Sequence, residues 1–190
     1  MTQVVIREVS AFLLEDWLAF FDRDAFIDNR EWAGCFCHYY HANADEKDWD
    51  AWTSAENRSA ASRLILDGQL QGYLAYAGGH PVGWCQAAPR LAIPNVVKDK
   101  TLSVGDDRVI GSIVCFVVAP AFRRHGVARS LLESACTGFR KQGLRVAEAY
   151  PRPAAAGDAA NCRGPLALFL EAGFKTFREL PDLTVVRREL

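Results

Sequence analysis

Apolar positions along this chain recur at two spacings, and the changes between them lay out a set of elements. From Gln3 to Glu8 apolar residues alternate weakly with polar ones, as on an edge strand. From Ala11 to Phe21 the spacing turns helical, with Ser10 placed to N-cap. Asp22 to Asp50 shows no period and is rich in aromatics, Cys and His. Thr53 to Leu66 reads as a helix with a polar face opened by Thr53-Ser54-Ala55-Glu56, a capping-box pattern. Gly72–Tyr76 and Val82–Ala88 form two strands turned at Gly78-Gly79-His80-Pro81, and Ile93 to Asp107 is a polar loop. Gly111–Val118 is continuously apolar, as a strand covered on both faces. Val127, Leu131, Leu132, Ala135 and Phe139 then mark a helix that runs through Ser130–Gln142 and stops at Gly143. A strand at Leu144–Tyr150 and a Pro/Ala/Gly-rich loop over Pro151–Pro165 lead to a short helix ending at Ala172, with Gly173 as its stop. Two strands, Phe174–Leu180 and Leu183–Leu190, close the chain. The order predicts one α/β (α+β) domain over residues 1–190, about seven strands and about four helices, with no internal repeat.

The join between the apolar strand and the long helix carries the candidate chemistry. Arg123-Arg124-His125-Gly126-Val127-Ala128 follows directly on Val118 and Pro120. The first N–H groups of a helix lack internal acceptors and carry the positive end of its dipole. Gly126 has no Cβ to hold a ligand off, and Ala128 is small, so backbone donors there can approach a bulky anion. Arg123 and Arg124 add charge-assisted donors. The turn reads as a pyrophosphate cradle. The chain has neither a Gly-x-x-x-x-Gly-Lys-Ser/Thr loop nor an N-terminal Gly-x-Gly-x-x-Gly, the patterns of other phosphate-binding folds.

Val118, Pro120, Arg123, Gly126, Ala128, Leu131 and Leu132 together resemble motif A of the GCN5-related N-acetyltransferase (GNAT) superfamily, and Leu168-Phe169-Leu170-Glu171-Ala172-Gly173-Phe174 resembles its motif B. The resemblance implies a mixed, splayed sheet and acetyl-CoA as co-substrate. It places the pyrophosphate on the turn, at Arg123, Arg124, His125, Gly126, Val127, Ala128, Arg129 and Ser130. It places the pantetheine arm and thioester along Phe116, Val117 and Val118, with a backbone N–H polarising the carbonyl. The family's Asn before motif B falls out of register here: strict spacing lands on Cys162, and Asn161, one residue earlier, is the residue the resemblance then assigns to the co-substrate.

Amide formation also needs a base for the amine and a proton for the leaving thiolate. Many relatives carry Glu on the motif A strand, where this chain has Cys115, and Tyr where it has Phe169. Glu148, inside the otherwise apolar run Ala147–Tyr150, is then the nearest acidic candidate for the base, and Tyr150 shares its strand face. An ion-paired or edge-facing Glu148 is the competing reading. Candidates for the proton donor are Tyr150, Tyr39, Tyr40 and Cys115.

Composition narrows the setting. Half the residues are apolar, as in ordinary globular domains, and a formal net charge of −1 gives no electrostatic ground for a nucleic-acid or membrane partner. The N-terminal Met1-Thr2-Gln3-Val4-Val5 has no signal-peptide character, so a cytoplasmic location and reduced thiols are expected for the six cysteines. Cys35, Cys37, His38 and His41 are zinc-ligand types at a spacing cramped for a tetrahedron, so no metal site is assigned. The same segment reads equally as a packed aromatic loop or as the lining of an acceptor pocket with cation–π capacity. Trp84 and Cys136 read as core residues, and Glu56, Arg58 and Arg63 as a solvated helical face.

The expected activity is acetyl-CoA-dependent transfer to a primary amine by direct attack on the thioester. The acceptor is a small-molecule amine or a protein amine, and a homodimer stays open. The alternative is a non-catalytic CoA-binding or Cys/His metal-sensing module. Transfer to an alcohol, or of a longer acyl chain, is a third reading.

Overall fold

The computed structural model describes residues 3–43, 47–102, 104–105, 107–153, 157 and 161–190. Seven strands are hydrogen-bonded in the order β1-β2-β3-β4-β5-β7-β6. They are β1 Val4–Glu8, β2 Gly72–Ala77, β3 His80–Pro89, β4 Ile110–Val118, β5 Val146–Ala149, β6 Lys175–Glu179 and β7 Thr184–Glu189. Every neighbouring pair is antiparallel except β4 and β5. A parallel pair needs a crossover, and the long helix α4, Val127–Lys141, supplies it. Among the described residues no helix is long and apolar enough to cross a membrane.

The sheet separates two apolar clusters. On one face Trp17, Phe20 and Phe21 of helix α1 (Leu14–Arg23) meet Leu74 and Trp84, with Ile65 of helix α2 (Ser54–Leu66) beside them. On the other face Leu131, Leu132, Ala135 and Phe139 of α4 cover Ile113, Phe116 and Ala147. Central β4 is covered on both sides, which explains its unbroken apolar run.

Several sequence expectations hold and some give way. Thr53 and Glu56 form the reciprocal capping box at the start of α2. Ser10 is extended but accepts no helix N–H; a 3-10 turn, Ala11–Leu13, precedes α1. The polar loop after β3 contains a one-turn helix α3, Pro94–Lys98, led by Pro94 and anchored by fully buried Val96. Helix α5, Leu166–Glu171, buries Phe169. Among the described residues there are thus five α-helices where about four are expected. Residues 154–156 and 158–160 of the expected Pro/Ala/Gly-rich loop lie outside the described residues.

Two irregularities of β4 shape its C-terminal half. Its pairing with β5 ends at Ile113↔Ala149, although β4 continues to Val118. The two strands therefore part at the middle of the sheet, as the expected splay requires. Its pairing with β3 steps from Gln86↔Cys115 to Ala87↔Ile113, which leaves Val114 as the extra residue of a bulge. The bulge resets the side-chain phase. Ile113 and Phe116 face α4, whereas Val114, Cys115 and Val117 face the α1 side.

Candidate active site

Two cavities meet along the parted half of β4. The first, of about 480 Å³, is lined by Phe116, Val118, Arg123, Arg124, Gly126, Val127, Ala128, Arg129 and Asn161, together with Phe122, Gly164, Pro165 and Leu168. Nine of the twelve residues expected to hold the co-substrate thus border one cavity. Val117 borders the second cavity instead, and His125 and Ser130 border neither.

The turn into α4 owes its shape to alternating backbone signs. Arg124 has φ 61° and Gly126 φ 80°, while His125 between them keeps a negative φ. Such alternation turns successive N–H groups toward one concavity, which favours an anion. A Cβ built on Gly126 meets nothing within 4 Å, so the space above the turn is open. The His125 ring is turned back, its Nδ1 donating to the Arg123 carbonyl at 2.7 Å. Arg123 does not extend into the cavity as a free cation. Its guanidinium grips both oxygens of Asp28, and its Nε donates to the Val118 carbonyl at 3.1 Å. That hydrogen bonding holds the Asp28 carboxyl below the usual range. Arg129 pairs with Glu171 at 2.8 Å, which ties α4 to α5. Asn161 Nδ2 donates to the Gly157 carbonyl at 3.2 Å.

The backbone groups expected at the thioester differ in orientation. Phe116 N–H donates to the Cys162 carbonyl at 2.6 Å, and Ala119 N–H donates to Val82 of β3 at 3.0 Å. Strand alternation therefore turns Val117 toward β3, and Phe116 and Val118 toward the splay. Phe116 N–H is already engaged, so Val118 is the splay-facing donor left of the three.

The second cavity, of about 580 Å³, lies on the α1 side of β4 and is lined by Val114 to Val118 and by the aperiodic segment after α1. Phe26, Trp32, Tyr39, Tyr40, Trp49 and Trp52 supply its rings, Glu31 and Asp50 its carboxylates, and Arg152 and Arg163 its guanidiniums beside Arg123. Tyr40 is buried, and its hydroxyl donates to the Val114 carbonyl, at the bulge, at 3.0 Å. Burial pushes that phenol well above its ordinary range. Cys35, Cys37, Cys115 and Cys162 also line this cavity. The Cys37 and Cys115 Sγ atoms lie 3.3 Å apart. Their contact, with burial, pushes Cys115 up, and burial pushes Cys35 to about 12 and Cys162 to about 11. These thiols are protonated at neutral pH and are poor nucleophiles.

Two groups of expected residues lie away from the meeting of the cavities or apart from one another. Glu148 borders neither cavity. It is fully buried, with one oxygen on Arg90 and the other on Arg187. Tyr150 donates to it at 2.7 Å and lies 2.8 Å from Ser112 Oγ. A fully buried carboxylate that borders neither cavity and has both oxygens held by guanidiniums presents neither to an incoming amine, an arrangement that fits the competing ion-paired reading. Tyr150 is enclosed in the same network, and burial raises its phenol well above the usual value. The zinc-ligand types of the aperiodic segment take separate partners. Cys37 meets Cys115, His38 Nδ1 meets Asn57 at 2.9 Å, and His41 meets Gln86 at 3.0 Å, so the cluster disperses. Among the described residues no group of three or more ligand types stands together.

Phe169 packs edge-on against Phe116 and Phe174, at centroid distances of 6.0 and 5.4 Å. Sequence reasoning missed Asp28 and singled out neither Arg152 nor Arg163. The only signal for Asp28 was an acidic residue in an aperiodic stretch.

The sequence matches the Acetyltransferase (GNAT) family over residues 9–158, a span that holds the Arg123–Ala128 turn and ends before the second motif. The chain belongs to this family, whose members transfer an acetyl group and use acetyl-CoA as co-substrate. The fold is shared with the PaiA N-acetyltransferase of Thermoplasma acidophilum, solved with coenzyme A, at 12% identity, TM-score 0.59 and 99% coverage of each chain. It is shared with the GNAT domain of S. lividans PAT at 17% identity and TM-score 0.61, covering 97% of this chain and 89% of that one. A GCN5-related N-acetyltransferase from Kribbella flavida matches at 20% identity and TM-score 0.58, with 98% of each chain covered. A search of curated proteins finds no significant match.

Proposed function

We propose that the protein catalyses acetyl-CoA-dependent acetylation of a primary amine, by direct attack of the amine on the thioester. The observation that carries this reading is the meeting of two cavities at the parted half of β4. One ends in the anion-favouring turn, the other in an aromatic chamber, and both touch Phe116, Val118 and Arg123. Acyl transfer between two ligands needs such a junction, because the reacting atoms must sit within contact of one another.

The residues present fit the co-substrate. The convergent N–H groups of the turn, with Arg124 beside them, suit a pyrophosphate. The apolar groove along Phe116, Val118, Pro165 and Leu168 suits the pantetheine arm. Bound there, acetyl-CoA supplies an activated acyl group. Val118 N–H polarises its carbonyl, and the enclosed apolar walls strengthen that hydrogen bond by excluding water. The amine's proton leaves through water toward Glu31 and Asp50, the carboxylates lining the chamber. With Phe at position 169, Tyr40 takes over at the leaving thiolate. Its hydroxyl, which donates to the Val114 carbonyl at rest, turns to donate to sulfur as the thiolate forms; it holds its proton more tightly than a thiol does and does not give it up. The protonated cysteines argue against a relay through an acetyl-cysteine.

Glu148 and Tyr150 act here as positioning residues. They lock β5 to β7 and to the end of β3, and so fix where β5 parts from β4.

The reading is tested by following thiol release from acetyl-CoA over a panel of primary amines, with acetyl-CoA binding measured by calorimetry. Gly126→Asp sets a negative charge and a side chain over the turn, and acetyl-CoA affinity should fall at least about tenfold. Unchanged affinity would remove the cradle from the site, and absence of thiol release with every amine would overturn the activity.

A further inference from the structure

Among the described residues six arginines hold carboxylates: Arg58 has Asp22, Arg123 has Asp28, Arg129 has Glu171, Arg188 has Glu133, and Arg90 and Arg187 share Glu148. Arg152 and Arg163 differ. Both line the aromatic chamber, and among the described residues neither has a hydrogen-bond or ion-pair partner. Arg163 is half-buried. Its position is fixed, because the carbonyl of the preceding Cys162 accepts Phe116 N–H of β4 at 2.6 Å. Its charge reaches Tyr40, Cys115 and Cys162, all of which it makes more acidic, so it stands at the inner end beside the junction.

A guanidinium presents five donors in a plane that matches a carboxylate. Arg152 is exposed and Arg163 half-buried, so their guanidinium donors face the chamber and its mouth, engaged by no acceptor among the described residues and open to a ligand. The phosphates of the co-substrate do not account for this pair. They fall to the neighbouring cavity, which neither Arg152 nor Arg163 lines. The chamber also carries the opposite charge, in Glu31 and Asp50, and broad apolar walls in Trp32, Trp49 and Trp52. At about 580 Å³ it has the size of a small-molecule site.

We infer that the acceptor is a small amphoteric amine, an amino acid or close analogue with a bulky apolar or aromatic side chain, whose carboxylate is received by Arg163 and Arg152. This rests on the acetyltransferase reading above and names its substrate class. The carboxylate fixes one end of the acceptor, the rings hold its side chain, and the amine is left at the β4 junction. In the transfer the N–C bond forms and the C–S bond breaks. The amine gives up one proton, and CoA leaves as the thiol.

The experiment compares L-phenylalanine and L-tryptophan with phenethylamine and tryptamine, which keep the amine and ring but lack the carboxylate. Thiol release from acetyl-CoA is read for the wild-type protein, Arg163→Gln and Arg163→Lys. The wild type should favour the amino acids at least about tenfold in kcat/KM. Arg163→Gln should collapse that preference through the KM of the amino acid, and Arg163→Lys should restore part of it. Equal or better use of the decarboxylated amines by the wild type would overturn the proposal. So would a loss in Arg163→Gln that falls equally on both classes. Calorimetric titration of the same four compounds into protein saturated with CoA separates the two readings: a carboxylate preference in binding without thiol release would sink the activity and keep the anion site. No preference in binding would sink the anion site itself.

Discussion

At the scale of single residues, burial decides what each titratable group does. Glu148 looked like a base because a lone carboxylate in an apolar strand needs a partner or a role. The chain satisfies it with partners that lie far away in sequence, Arg90 and Arg187. Removing one member of a buried ion pair leaves an uncompensated charge, at a cost of about 3–5 kcal/mol. Glu148→Ala should therefore lower the unfolding free energy by about that amount in urea titrations, because Arg90 is fully buried and keeps its charge. Loss of turnover at unchanged stability would instead return Glu148 to the chemistry. Tyr40 gives the opposite case. It sits in an aperiodic segment and reaches the β4 bulge only through the fold. Tyr40→Phe should lower kcat about 100-fold and leave the KM for acetyl-CoA within about twofold, since one donor to developing charge is worth about 100–1000-fold. A kcat within twofold of wild type would remove Tyr40 from the thiolate.

At the scale of elements, legibility followed the range of the interaction that sets each feature. Strand and helix existence came through because it depends on local period, and the capping box at Thr53 and the turn at Gly126 came through because both are written in adjacent residues. The β4 bulge was invisible. Alternation over Ile113–Val117 reads the same with or without an extra residue at Val114, and only pairing with Gln86 and Ala87 shows the phase change. Helix α3 was missed because one turn carries too few positions to show a period. The co-substrate cavity was largely readable, since its motif is contiguous. The acceptor chamber was not, since the Trp32–Trp52 segment and Arg163, far apart in sequence, meet only in the folded chain. The crossover helix depends on a contact of the same hidden kind. A Cβ on Gly138 would stand 1.8 Å from the Tyr73 hydroxyl, so a side chain there forces the Tyr73 ring or α4 to shift. Gly138→Ala gains up to about 1 kcal/mol of helix propensity, while overpacking costs about 1–3 kcal/mol. The expected net result is a loss of about 1–2 kcal/mol in thermal or urea unfolding. Tyr73→Phe, which removes the clashing oxygen, should recover most of it in a double-mutant cycle, and strict additivity of the two changes would show that the contact does not govern docking.

For the whole molecule, the same burial that shapes the chamber sets a limit on acid tolerance. His41 follows the turn that carries Tyr40, and its Nε2 lies 3.0 Å from Gln86 Nε2, an arrangement in which the neutral ring accepts from the amide. Burial lowers its pKa from 6.5 to about 4, with the nearby His38 adding to the effect. The unfolded chain therefore takes up a proton near pH 6.5, while the folded protein resists it until about 4. Stability is fully present above 6.5 and declines as pH falls through this window, with a slope of up to about 1.4 kcal/mol per pH unit. The carboxylates whose pKa values are lowered by arginine or lysine partners, Asp28, Glu56 and Glu133, push in the same direction. They do so only once unfolded carboxylates begin to protonate, near about pH 4.5. The interval between 5 and 6.5 thus reports His41. Unfolding free energies measured across it should fall with pH for the wild type and stay nearly flat for His41→Gln, which keeps a polar contact to Gln86 and cannot titrate there. An identical slope in both proteins would assign the acid sensitivity to some other group and would place the His41 ring in water in solution.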